Sequence, residues 1–120
     1  MYKILTVDDS PSIRKMVVTI LGGEGYDISE AENGIIALDK IGKEIFDLIL
    51  VDLNMPGMDG MTLLKSVRNI PTYKFTPILI VSTESSPTLK EAGFAAGVTG
   101  WVVKPLKPDK LLKVVKQLLG

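Results

Sequence analysis

Three carboxylates and one amine in this sequence stand where they could handle a phosphoryl group together. Asp8 and Asp9 follow the apolar run Ile4-Leu5-Thr6-Val7, and Asp52 follows Leu48-Ile49-Leu50-Val51. Lys104 follows Trp101-Val102-Val103, and Ser82, which adds a hydroxyl, follows Ile78-Leu79-Ile80-Val81. Each residue alone has an ordinary reading. Asp8 and Asp9 could be an acidic pair at a helix N-terminus, Asp52 the start of a loop, Ser82 a strand end and Lys104 an exposed charge. Their shared position after apolar runs makes a common site the stronger reading. Crowded carboxylates repel one another. A hard cation with oxygen ligands, plus a phosphoryl group held by the lysine, turns the same set into a favourable arrangement.

The elements that must position these groups are short and regularly spaced. The predicted strands are Lys3 to Val7, Asp27 to Ala31, Leu48 to Asp52, Pro77 to Ser82 and Gly100 to Val103. Three of them are apolar without alternation, as expected for strands covered on both faces. The second carries polar residues and belongs at an edge. Helices are predicted between them. Ser10-Pro11 reads as a cap followed by proline in the first turn, opening a helix to Leu21 that stops at Gly22-Gly23. Asn33-Gly34 opens a second helix to about Gly42, and a third runs from near Asp59 to Ile70, ended by Pro71. Ser86-Pro87 repeats the cap signal for a fourth, which contains Gly93, closes at Gly97 and has weak intrinsic helicity. The fifth follows Lys107-Pro108 and runs to Leu119. Strict alternation of strand and helix predicts an α/β fold with a parallel sheet and helices on both faces. The strand ends would then open on one crevice, where such sheets bind ligands.

Composition narrows the chemistry. The 120 residues are expected to form one domain, 1–120, with no output domain after the fifth helix; a piece excised from a larger protein is the open alternative. There is no cysteine and no histidine, so thiolate and imidazole chemistry are excluded, and any phosphohistidine must belong to a partner. Lys+Arg equals Asp+Glu, which argues against a broad nucleic-acid footprint. No apolar run is long enough to span a bilayer, and the N-terminus has no secretory-signal pattern, so a cytoplasmic location is expected. Lys107, Lys110, Lys113 and Lys116 recur every third residue and are expected to face solvent opposite Leu111, Val115 and Leu118. The glycines do not match a phosphate-cradling loop.

Asp8-Asp9, Asp52 with Asn54-Met55-Pro56-Gly57, Gly60, Ser82 and Lys104-Pro105, in this order and at these spacings, resemble the receiver domain of two-component response regulators. The resemblance covers essentially the whole chain and is nearest to the single-domain, chemotaxis type. It implies the flavodoxin-like (βα)5 fold with strand order 2-1-3-4-5, for which CheY is a standard example. It further implies that Asp52 is the phosphoacceptor and that Mg²⁺ is held by the side chains of Asp9 and Asp52, the backbone carbonyl of Asn54 and, through water, Asp8. Ser82 would donate to the phosphoryl group and Lys104 would pair with it. Trp101 stands at the aromatic switch position, and the Lys104-Pro105 peptide is expected to be cis. Asn54 and Glu84 stand where dephosphorylation is tuned, which suggests motility control. Thr83 replaces the usual Ala or Gly and could narrow access to Asp52; Leu106 replaces a frequent Phe.

The implied cycle begins with a histidine kinase donating phosphate to Asp52. The surface of the fourth helix, fifth strand and fifth helix then changes as the Trp101 indole turns in from the surface, and an effector protein reads it. Such a protein modifies and demodifies itself and is no turnover enzyme. Two other readings remain open. An aspartyl-phosphate phosphatase commonly separates its two first-strand aspartates by one residue, whereas here they are adjacent. A degenerate receiver acting only as an interaction module would not need the full acidic and lysine set.

Overall fold

Aliphatic and β-branched runs become five parallel strands in the computed structural model, which describes residues 1–120. They are β1 (Lys3–Val7), β2 (Asp27–Ala31), β3 (Leu48–Asp52), β4 (Ile78–Ser82) and β5 (Gly100–Val103). The helices between and after them are α1 (Pro11–Gly22), α2 (Gly34–Lys43), α3 (Gly60–Arg68), α4 (Pro87–Ala95) and α5 (Pro108–Leu119). The sheet order is β2-β1-β3-β4-β5, every pair parallel, as the flavodoxin-like expectation required. β2, the polar strand, lies at an edge.

Alternation along the strands divides the core into two layers. Ile4, Leu48, Leu50, Leu79 and Val81 face Val17 and Leu21 of α1 and Leu111 and Val115 of α5. Leu5, Val7, Ile49, Val51, Ile78 and Ile80 face Ala37 and Ile41 of α2 and Leu63, Leu64 and Val67 of α3. Each buried Val, Leu or Ile among them contributes about 1.5–3 kcal/mol. α4 adds little to this layer: Leu89 and the capping residue Ala96 are only partly buried, and the helix's one buried residue is Gly93.

Side-chain caps set the helix starts. Ser10, Asn33, Asp59 and Ser86 accept from the backbone N–H groups of Ile13, Ile36, Thr62 and Leu89. Boundaries differ from the sequence reading at three places. α1 includes Gly22, and the left-handed residue that redirects the chain is Gly25 (φ 88°), not Gly22 or Gly23. α3 ends at Arg68, and Pro71–Tyr73 forms a 3-10 turn. Tyr73 is buried there; its hydroxyl donates to the Glu44 carbonyl (2.9 Å) and accepts from Phe46 N (3.1 Å), a long-range bond that local pattern does not reveal. β4 starts at Ile78 because Pro77 has no N–H, although its carbonyl still accepts from Ile49 N.

Arg68 closes the end of the sheet remote from the acidic residues. Its guanidinium donates to the carbonyls of Gly97 (2.8 Å), Tyr73 (2.7 Å) and Thr76 (2.7 Å), tying the segments before β4 and β5 together. At the other end, Gly60 brings α3 against β3. Its N–H donates to the Leu53 carbonyl (2.9 Å), and a Cβ there would run into the Asp52 carbonyl oxygen and stand 2.8 Å from Leu53 Cα. Gly60→Ala is therefore expected to destabilise the fold by about 1–3 kcal/mol, because backbone on both sides must move. Urea denaturation measures this; an unchanged midpoint would show that the approach is not tight.

Candidate functional site

Parallel register brings the chemistry together. Val7 pairs with Val51, Asp52 with Val81 and Ser82 with Val103, so the residues ending β1, β3, β4 and β5 emerge along one edge. The strand order reverses between β1 and β3, and Asp8, Asp9 and Asp52 lie at that switch point. One carboxylate oxygen from each of the three lies within 4.8 Å of the others.

The three acids are not equivalent. Asp8 and Asp52 are buried, at 2% and 6% exposure, whereas Asp9 is exposed. Asp8 Oδ1 accepts from Ser10 N (2.9 Å), and its Oδ2 lies 2.9 Å from Lys104 Nζ. Lys104 Nζ also lies 3.3 Å from Asp52 Oδ1. One ammonium thus bridges two buried carboxylates, and the third stays open to solvent.

The electrostatics show the tension in this cluster. Burial, followed by the neighbouring Asp8 charge, pushes the Asp52 carboxyl up to about 6, against the pull of Lys104 and the Asn54 backbone N–H. Asp52 nevertheless remains mainly ionised at neutral pH. Burial alone would lower the Lys104 pKa; its bonds and charge interactions with Asp8, then Asp52, outweigh that and raise it. Lys104 is therefore a fixed cation in this site.

The remaining predicted residues take different places. Ser82 is buried, and its Oγ accepts from Glu84 N (3.0 Å), which leaves the hydroxyl's own hydrogen free to donate. Asn54, Thr83 and Glu84 lie exposed at the rim. The Lys104–Pro105 peptide is cis, and Leu106 is buried in the layer under α1 and α5. Trp101 differs from the expected surface position: its indole is half-buried, packs against the core and donates from Nε1 to the Glu84 carbonyl (2.8 Å). The lysines of α5 are exposed, as expected, but a spacing of three lags the 3.6-residue turn and spreads them around the helix. Lys116 pairs with Glu24 at 2.9 Å. Arg14 stands outside the residues to which the sequence motifs point. Its Nη1 donates to the Asp8 carbonyl (2.6 Å) and its Nε lies 3.2 Å from Glu30, bracing the backbone that carries the acidic pair. Its only local signal was a basic residue in the first turn of α1.

The profile of the response regulator receiver domain matches residues 4–116. The chain belongs to this family. Its members are phosphoacceptor signalling switches of two-component systems rather than metabolic enzymes, and the chain is such a switch. It is 50% identical to the chemotaxis protein CheY4 of Vibrio cholerae, with a TM-score of 0.96 over 99% of each chain. It is 36% identical to CheY1 of Helicobacter pylori across 98% of this chain and 97% of that one. It is also 40% identical to the transcriptional regulatory protein ResD of Bacillus subtilis across 98% of this chain, but spans only about half (48%) of ResD. A structure of TrrA from Thermotoga maritima, described as in complex with Mg(2+)-BeF, is 35% identical, with a TM-score of 0.88 over 99% of this receiver and 100% of that chain. No helix of this receiver is long and apolar enough to cross a membrane.

Asp52→Asn tests the charge crowding. The Asp52 pKa is higher in the fold than its ordinary 3.8, so its stabilising contribution is complete below that value and lost as pH rises through about 6. In metal-free buffer near neutral pH, the variant is expected to be more stable than the parent by about 1–2 kcal/mol once solvent screening is allowed for. The gap should close below about pH 4. Urea titrations across this range measure it, and a variant that is less stable at neutral pH would contradict the assignment.

Proposed function

We propose that Asp52 accepts a phosphoryl group from a phosphohistidine on a partner kinase, with Mg²⁺ held beside it. The observation that carries this reading is the set of three carboxylates at the sheet's switch point, two of them bridged by Lys104. The donor chemistry fits the ion. The groups are all oxygen, the chain has neither histidine nor cysteine, and one lysine leaves the three acids with about two uncompensated negative charges. Asp9 and Asp52 would hold Mg²⁺ through their side chains and Asn54 through its carbonyl, with Asp8 acting through water. When bound, the ion supplies positive charge to the carboxylates and to the phosphoryl oxygens.

The chain's own groups account for the remaining chemistry. Ionised Asp52 needs no general base. Its oxygen forms the new bond to phosphorus as the phosphorus–nitrogen bond to the partner's imidazole breaks, and the leaving nitrogen takes a proton from solvent. Lys104 then follows the charge from the carboxylates to the phosphoryl oxygens. Ser82 donates the hydrogen that its bond from Glu84 N leaves free. Attack by water on the acyl phosphate restores Asp52, so the site both makes and ends its own signal. Asn54, Thr83 and Glu84, exposed at the rim, set how water and donors reach it.

Residues 1–120 act as a single receiver in the cytoplasm, and the face made by α4, β5 and α5 is read by an effector protein. Val103 and Phe94 are exposed on that face (44% and 49%), which gives a protein partner apolar surface to bury. Control of chemotaxis is the pathway favoured by the likeness to CheY4 and CheY1 along nearly their whole lengths. Direct nucleic-acid binding and insertion into a bilayer form no part of this reading.

Incubation with acetyl phosphate and Mg²⁺ should add one phosphoryl group by intact mass, and Asp52→Ala should abolish the addition. An equally modified Asp52→Ala protein would overturn the assignment. Mg²⁺ alone should raise the melting temperature of the parent, because it relieves carboxylate repulsion, and Asp9→Asn should remove most of that rise. A full rise in Asp9→Asn would exclude Asp9 as a ligand.

A further inference from the structure

We propose that Gly93 and Trp101 are a matched pair that holds the indole inward before any phosphoryl group is attached, with Gly93 as the positioning residue. The structural content stands alone; its signalling consequence rests on the reading of Asp52 as phosphoacceptor.

Glycine weakens a helix interior relative to alanine, yet Gly93 lies within α4 and is that helix's only buried residue. The reason is local. An added Cβ would stand 2.8 Å from Trp101 Cζ3, with Trp101 Cε3 and Ile80 Cδ1 each at 3.5 Å. Only a missing side chain leaves a notch in which the six-membered ring can lie against the backbone of α4. The other end of the indole is held by the bond from Nε1 to the Glu84 carbonyl (2.8 Å). The N–H of the same residue donates to Ser82 Oγ (3.0 Å). The backbone of Glu84 therefore joins the buried hydroxyl beside Asp52 to the ring that fills the notch. A phenyl ring has no N–H with which to make this link.

The position of the indole also shapes the surface. Together with Val103, Pro105, Lys107 and Lys110, Trp101 lines a cavity of about 380 Å³ between β5 and α5. With the ring already seated, that wall exists in the unmodified protein. Phosphorylation then has little indole movement left to drive, and Gly93 sets how much the face differs between the two states.

Trp101 is the only tryptophan, so its fluorescence reports on the pair directly. In metal-free parent protein, emission should be blue-shifted and shielded from acrylamide, and should change little on adding Mg²⁺ with beryllofluoride. Gly93→Ala should red-shift the emission, increase acrylamide quenching and enlarge the beryllofluoride response. In urea titrations, Gly93→Ala should lower the midpoint less in a Trp101→Phe background than in the parent, because the smaller ring vacates the clash. A single variant that cannot fold while Gly93→Ala/Trp101→Phe does would be the same rescue. Unchanged emission and quenching in Gly93→Ala, additive midpoints, or a double variant that also fails to fold would each overturn the pairing. Acetyl phosphate labelling of the parent separates the two proposals: its failure removes the phosphoacceptor reading and leaves the metal-free fluorescence result to decide the pairing.

Discussion

Like charge crowded at one edge of a sheet, with a single ammonium between two of the acids, is the constraint on which the rest of this structure depends. Lys104 lies 2.9 Å from Asp8 and 3.3 Å from Asp52, yet burial and the Asp8 charge still push the Asp52 carboxyl up to about 6. Such a cluster opposes folding by desolvation and mutual repulsion. The fold holds it because the acids are anchored to strands whose apolar residues are buried on both faces. The residual negative charge leaves an all-oxygen cluster with the donor chemistry that hard divalent cations take, so the same repulsion that weakens the free protein makes the edge electrostatically receptive to a cation.

The geometry of that edge comes from regular features acting together. Alternating side chains send half of each central strand under α1 and α5 and half under α2 and α3. Parallel register then ends each central strand within one residue of its neighbour. Gly60 lets α3 start against the end of β3, and Arg14 holds the carbonyl of Asp8 from α1. Each contact is ordinary; the site exists because they coincide at the switch point of the sheet.

From this rigid edge, one less strongly packed route leads outward. Ser82, Glu84 and Trp101 are joined by two hydrogen bonds, and the indole rests on α4, the helix that contributes least to the core. Weak packing is where a two-state element can exist without unfolding the domain. The acidic edge and the surface of α4 and β5 are therefore linked through one loop and one ring.

Much of this was legible in the sequence because it is encoded locally. Apolar runs, capping residues, prolines and turn glycines determined five strands and five helices in alternation, and the receiver motif assigned Asp8, Asp9, Asp52, Ser82 and Lys104 to one edge. The cis Lys104–Pro105 peptide followed from the same resemblance. Sequence could not show that Lys104 bridges Asp8 and Asp52, because their separation along the chain says nothing of which carboxylate oxygens it reaches. Nor could it show Tyr73 reaching back to the loop between α2 and β3, Arg14 behind Asp8, or the indole already seated. Gly93 was visible only as a weak point in a helix. Its role appears when α4 and β5 pack together, because a glycine's fitness is set by what occupies the space its side chain would have filled. Local propensity and pattern belong to neighbouring residues, whereas charge pairing and steric fit belong to atoms that only tertiary packing brings into contact.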